Sequence, residues 1–462
     1  MKVTVHNMGL LKEATFELGD LTVICGLNNT GKTYATYALF GFLENWRRFL
    51  RTDVPNNKIN QLFKNGVTQF DIAHYANKAN NILQKGCDQY AKSLPKIFAS
   101  DSKYFSDAQF SLELQENAEL ILHSHVERKL RSKTSELLSF SKPKEEAVLT
   151  VSFLADNDGI EFPHRMIKDA IADVINDILF EQYFPNPFIA STERTGVAIF
   201  SKELDFARNR LLEEMAQSSK DIDPWQLLFK SYNDYAWPVR TNVDFTRRIT
   251  DIAKKESFIS KEYGHILNQF RDIIGGEYIT ENNNAIYFKP SGKRLKLTMG
   301  ESSSSVRSML DIGSYLRHIA QRGDLLMIDE PELNLHPKNQ RKFARLLAQL
   351  TKLEIRVFIT THSDYFLKEF NTLIMLNQDK PYLQEISERA GYSTEELLDY
   401  EKVKVYIAEQ ALVKTNSNNK RRTMHPSLVE AEVSQDLGIN AHSFDDTINT
   451  MNEIQESIVW GG

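Results

Sequence analysis

The chain has 462 residues, 41% of them apolar and 26% charged, and its 56 Lys and Arg against 62 Asp and Glu leave a formal net charge of −6. That length accommodates two or three ordinary domains with a real core, and the acidic balance argues against a generally basic nucleic-acid binder. Two cysteines, Cys25 and Cys87, make no disulfide framework; with no signal-peptide-like start and no run near the roughly 18 apolar residues of a membrane span, a cytoplasmic address without membrane contact is expected.

Val3 and Val5, then Ala14, Phe16 and Leu18, alternate as strand residues do, with a turn at Gly19-Asp20. Leu21-Thr22-Val23-Ile24-Cys25 is a short apolar run ending at a glycine, the pattern of a buried central strand. After Thr33, the apolar residues Tyr34, Tyr37, Ala38, Phe40, Phe42 and Leu43 recur at helical spacing. Residues 45–184 read as a mainly helical insertion with strand-like pieces such as Ala147–Leu154, and residues 185–201 as a return to the core that residues 1–44 begin. Residues 202–275 read as a helical arm or layer, charged on every turn (Arg208, Arg210, Glu213, Glu214) but without regular heptads. In 276–375, strands around Pro290-Ser291-Gly292 lead to a helix through Val306, Met309, Leu310, Tyr315 and Ile319, then to buried strands at Leu325–Ile328 and Val357–Thr360. The segment 376–462 is less regular and is read as a partner or oligomer contact.

Gly26-Leu27-Asn28-Asn29-Thr30-Gly31-Lys32-Thr33 fits G-x-x-x-x-G-K-[ST] at every position. Gly26 and Gly31 let the backbone turn, so that N–H groups along Asn28, Asn29 and Thr30 face phosphate oxygens; Lys32 reaches the β- and γ-phosphates and the Thr33 hydroxyl ligates Mg²⁺. ATP and Mg²⁺ are the expected ligands. Asp329-Glu330 ends an apolar strand, where Asp329 is expected to hold the metal and Glu330 to activate the attacking water. His362, at the end of the next strand, is expected to contact the γ-phosphate. Gly300-Glu301-Ser302-Ser303-Ser304-Ser305 opens a helix: N-capping accounts for serines there, and so does phosphate binding by hydroxyls and free N–H groups. Ser304 and Ser305 are the candidates for phosphate contact.

Gly26–Thr33, Gly300–Arg307, Leu325–Pro337 and Thr360–Asp364, in that order, resemble the Walker A, signature, Walker B with D-loop, and switch histidine of the ABC/SMC-type ATPase head. The resemblance implies an α/β fold with a mixed β-sheet core, flanking helices and large helical insertions between Walker A and signature. The nearest branch holds OLD-family, Septu and other anti-phage defence ATPases, in which Ile-Asp-Glu-Pro-Glu and Thr-His-Ser-Asp recur. Phe188–Gly196 is similar to that branch's Pro-Ala/Ser-Glu-Arg-x-Gly element, from which Thr192 departs. The Ser302–Ser305 run replaces the usual Leu-Ser-Gly-Gly-Gln, leaving open which serine meets phosphate. No Q-loop glutamine is placed; Glu193-Arg194 stands in that region. The resemblance also implies a homodimer or higher oligomer in which the signature of one subunit completes the ATP site of another.

OLD-type chains carry a Toprim nuclease after the ATPase, but Asp445-Asp446 are adjacent rather than alternate and no apolar-Glu-Gly element precedes them. A nuclease effector acting in trans is therefore expected. Chain size, head type and insertion resemble the AriA-type ATPases of PARIS systems, which implies a sensor and scaffold subunit holding a Toprim-type nuclease until a phage-encoded trigger protein is met. The alternatives are a Septu or retron-linked ATPase with an HNH partner, and an SMC-type DNA repair ATPase. The latter needs long coiled-coil arms, which Pro163, Pro185, Pro187, Pro224 and Pro238 interrupt. Arg247-Arg248, Lys254-Lys255 and Lys420-Arg421-Arg422 read first as solvated surface, and direct nucleic-acid binding is left open.

Overall fold

The computed structural model describes residues 1–114, 123–131, 136–154, 164–200, 235–281, 285–414, 422–440 and 442–460. Residues 201–234, which take in the first part of the expected arm, lie outside the described residues, as do Pro163, Lys420 and Arg421. The chain forms two compact units: one of Met1–Val3, Phe42–Ser93 and Gln109–Pro185, the other of Thr4–Gly41, Leu94–Ala108 and Asn186–Gly462.

Among its described residues the smaller unit has more helix than strand, and a sheet joins the helices expected. It holds a four-stranded antiparallel sheet in the order Val67–Asp71, Val148–Phe153, Glu136–Lys142, Val126–Arg131, beside helices Asn56–Asn65, Ala79–Ala91 and His164–Phe180. Short strands such as Val-Glu-Arg-Lys-Leu-Arg bury almost nothing, so hydrophobic periodicity does not announce them and cross-strand pairing decides their conformation. Aromatic rings fill the interior, Phe42 against Tyr90 at 5.4 Å and Tyr90 against Phe110 at 4.9 Å between centroids. Arg47 and Arg128 both pair with Asp177 and Glu181.

The larger unit is built on a mixed sheet with flanking helices, the α/β class expected. Its strands run in the spatial order Lys2–Met8, Leu11–Glu17, Arg422–Glu430, Val403–Lys414, Leu21–Gly26, Arg356–Thr361, Leu325–Asp329, Pro187–Ala190. The last five in that order are mutually parallel, and the apolar run Leu21–Gly26 is buried at every residue between two of them. The segment 376–462, expected to be irregular, supplies one of those neighbours. Val403–Ala408 pairs residue by residue with Leu21–Gly26, and the strand then returns antiparallel through Arg422–Glu430. The alternation Val403, Val405, Ile407 carried that strand signal. Helices Pro337–Lys352 and Asp364–Met375 pack Phe343, Leu347, Phe366 and Phe370, all fully buried, into the core beneath the parallel strands. Parallel strands that point the same way gather their carboxyl ends along one edge, where open α/β sheets place their sites.

Candidate active site

Four sequence-distant segments meet at that edge. The loop after Leu21–Gly26 takes conformations only glycine tolerates easily: Gly26 has φ 137° and Gly31 φ 97°. A Cβ on Gly26 would stand 2.6 Å from the Ala408 carbonyl oxygen, and one on Gly31 2.7 Å from the Leu11 side chain, so neither position accepts a side chain. Asn29 is left-handed at φ 60°. Lys32, 6% exposed, turns its ammonium back onto the loop, donating to the carbonyls of Gly26 at 2.9 Å and Leu27 at 2.7 Å. Burial pushes its pKa below 10.5, against the pull of Glu330, Asp329 and Glu332.

Thr33, at the start of the helix that begins at Lys32, points its hydroxyl at Asp329, Oγ1 to Oδ2 3.4 Å. Asp329 is 1% exposed, and burial raises its carboxyl to about 6 while a hydrogen bond from the Thr360 hydroxyl lowers it. Asp329 and Thr360 are register partners in the parallel ladder, which is why they meet. One hydroxyl oxygen and one carboxylate oxygen on a rigid buried base suit a hard divalent cation.

Glu330 leaves the strand with φ 53°, unusual for a residue with a side chain. Its N–H donates to the Thr360 carbonyl at 3.1 Å. His362 Nδ1 lies 3.8 Å from Glu330 Oε1 and 3.2 Å from Glu332 Oε1. Glu332 is 7% exposed and also accepts from the Thr361 hydroxyl at 2.9 Å and the His362 N–H at 2.8 Å. Its carboxyl is raised by burial, and those two donors and His362 oppose the rise.

Residues 1–367 match the family described as AAA ATPase domain. The chain belongs to that family. It is an ATPase, with the nucleotide loop and the acidic strand end inside the matched residues. Solved structures similar to it include an SMC head domain from Thermotoga maritima, at 11% identity over 94% of this chain and 98% of that one, with a TM-score of 0.31. An SMC head bound to the C-winged helix domain of ScpA follows at 12% identity, 94% and 98% coverage and TM-score 0.34. A Pyrococcus furiosus SMC head with an extended coiled coil, bound to the C-terminal domain of ScpA, stands at 13%, 98%, 98% and 0.30. No curated protein matches the chain.

The serine cluster of the ATPase holds its own hydroxyls. Ser303 is the N-cap of the five-residue helix Ser304–Ser308, its side chain accepting from the Val306 N–H. Ser304 Oγ accepts from Arg307 at 3.0 Å, and Ser305 Oγ lies 2.9 Å from Ser303 Oγ. These hydroxyl contacts stay within the cluster, and none of them reaches Gly26–Thr33.

Several residues at the ATPase site were not singled out by spacing. Thr360 and Glu332 belong to quoted motifs but acquire partners only through the ladder. Tyr37 donates to Glu193 Oε2 at 3.2 Å, tying the nucleotide-loop helix to the Ser191–Gly196 segment. Ser363 caps the helix that begins at Asp364 and donates to Gln340 at 2.6 Å. Arg194, named only as standing in the Q-loop region, is fully enclosed. Two of the basic residues are paired locally, Arg247 with Asp244 at 3.2 Å and Lys254 with Asp251 at 2.7 Å. Asp445 and Asp446 fall in the opening turns of helix His442–Trp460.

Proposed function

We propose that this ATPase is a nucleotide-driven switch whose catalytic sites are shared between two copies of the chain. In this reading it serves as the sensor and scaffold subunit of an anti-phage defence complex that controls a nuclease effector in trans. The observation that carries the reading is the meeting of Thr33 with Asp329 at 3.4 Å and of Glu330 with His362 at 3.8 Å, on the ends of adjacent parallel strands. Gly26, Asn28, Asn29, Thr30 and Gly31 supply the turned backbone for the phosphates, and Lys32 exchanges its two loop carbonyls for phosphate oxygens. Held by Thr33 and Asp329, Mg²⁺ would neutralise charge on the β- and γ-oxygens. Glu330 orients the attacking water and takes its proton. As an imidazolium, His362 donates its Nδ1–H to Glu332 and keeps its Nε2–H for a γ-phosphate oxygen.

Support for sharing between copies comes from Ser303, which is exposed, and from Ser304 and Ser305, whose hydroxyl contacts lie within their own turn. A second copy bringing Ser304 or Ser305 to the γ-phosphate would complete the site. The DNA-repair alternative needs arms in the insertion, whereas its described residues fold into a sheet with short helices. On its sequence motifs the proposed parallel is the PARIS ATPase with a Toprim-type nuclease and a phage-encoded trigger, and an HNH partner would indicate the Septu type instead.

Glu330→Gln is the direct test of the site. The variant is expected to bind ATP, lose about a hundredfold or more in kcat, and run as a dimer or larger species with ATP in light scattering. Hydrolysis at the wild-type rate would remove Glu330 as the base. Affinity purification of the tagged chain from its native cells, followed by mass spectrometry, tests the partner: a stoichiometric nuclease supports the reading, and its absence counts against it.

A further inference from the structure

Arg194 has the largest fully buried side chain among the described residues, at 1% exposed. Four of its N–H bonds go to main-chain carbonyls: Nε to Ser308 at 2.9 Å, Nη1 to Ser191 at 2.7 Å and Asp329 at 2.6 Å, and Nη2 to Glu330 at 2.7 Å. A planar fork of five donors suits a fixed set of acceptors, whereas a lysine at the same place would satisfy fewer of them in less defined directions. Burying a guanidinium costs several kcal/mol of desolvation even when it is well bonded, so a cation placed here marks a geometry that the chain must hold.

The acceptors are informative. Ser308 closes the serine helix, and its hydroxyl stands 3.1 Å from the carbonyl of Leu333, three residues past the proposed base. Glu330 is a left-handed residue at φ 53°, and the peptides on both sides of it are pinned, by Arg194 on its carbonyl and by the Thr360 carbonyl on its N–H. Ser308, Arg194 and the Asp329-Glu330 peptides thus form one continuous bonded path from the serine helix to the acidic strand end.

We infer that Arg194 is a positioning residue that fixes the Asp329-Glu330 backbone for hydrolysis and makes that backbone respond to displacement of the serine helix. The inference rests on the proposed role of Glu330 and of the serine cluster. Arg194 touches no reacting atom; its effect on turnover passes through Glu330. When a second copy engages Ser304 or Ser305, a shift of Ser308 is carried through the guanidinium to the peptide that aims the base.

The test uses the full chain, with Arg194→Lys, Ser308→Ala and the double variant. ATPase kcat and KM are measured beside binding of trinitrophenyl-ATP. Arg194→Lys is expected to keep nucleotide affinity within about threefold while kcat falls roughly 30- to 100-fold, the scale of a small misplacement of a catalytic group. Ser308→Ala keeps the carbonyl that Arg194 holds and removes the hydroxyl's bond to Leu333; it should lower kcat about three- to tenfold, and the double variant should depart from the product of the two losses, because both side chains tie the serine helix to the same acidic turn. Wild-type kcat in Arg194→Lys, or losses that multiply in the double variant, overturns the inference. If Arg194→Lys does not fold by thermal melting, Ser308→Ala decides, and wild-type kcat there overturns it equally. If Glu330→Gln hydrolyses normally, the reading of the site fails first; if Glu330→Gln is dead and Arg194→Lys is not, this inference alone fails.

Discussion

The acidic strand end and the serine cluster are built to opposite standards. Asp329 is enclosed, accepts from Thr360, faces Thr33, and belongs to a ladder that runs unbroken across five parallel strands. Ser303, Ser304 and Ser305, exposed or half-buried at the start of a five-residue helix, have hydroxyl contacts within their own turn and with Arg307. The contrast teaches where rigidity is needed. A metal and a base must be aimed before substrate arrives, so their supports are buried and redundant. A surface that engages and releases a second molecule must keep its donors near water.

The comparison breaks most decisively at the nucleotide loop. Lys32→Ala removes a 6% exposed cation from the loop, and titration calorimetry is expected to show ATP affinity lost by about a hundredfold or more. Unchanged affinity would mean that the buried edge is not where nucleotide sits. Next in size is Glu332→Ala, which strips His362 of its Nδ1 partner at 3.2 Å and is expected to lower kcat about tenfold with little change in KM. The doubly changed Ser304→Ala, Ser305→Ala should leave ATP binding to the single chain intact. Its kcat should fall several-fold, about three- to tenfold, with steeper dependence on protein concentration. A loss of binding equal to that of Lys32→Ala would place the serines in the same chain's site and erase the distinction.

The smallest expected effect concerns stability. Asp311, on the helix that follows the serine cluster, is 2% exposed, and burial raises its carboxyl from 3.8 to about 7. The folded state therefore holds a proton that the unfolded chain has released between those values, so this group's contribution falls as pH rises through the window and is fully unfavourable above about 7. Asp311→Asn keeps the acceptor for Thr246 and removes the charge. It should be more stable than wild type by about 1–3 kcal/mol at pH 8.5, with the gain vanishing below pH 4 in denaturant titrations. An equal gain at both pH values would separate the effect from ionisation.

Much of the site was legible where chemistry and spacing are local. Gly26, Gly31, Lys32 and Thr33 lie within one turn and its loop, and Asp329-Glu330 ends an apolar run that can only be a buried strand. The serine helix was legible as a helix start, but spacing alone did not say that Ser303 takes the cap. The sheet of the smaller unit was legible only at Ala147–Leu154, since its polar strands owe their conformation to pairing partners as far apart as Val67 and Ser152. The strand at Val403–Lys414 was passed over because a strand's importance depends on its neighbour, here Leu21–Gly26.

By itself the sequence determined the nucleotide loop, the acidic strand end and the order of the motifs, because each is set by residue type over a few neighbouring positions. Only the tertiary structure decided what supports them. Glu332 reaches His362 across 30 residues, and Arg194 reaches Asp329 across 135. No periodicity encodes such contacts; they follow from strand register and from the need of buried donors and acceptors to find one another.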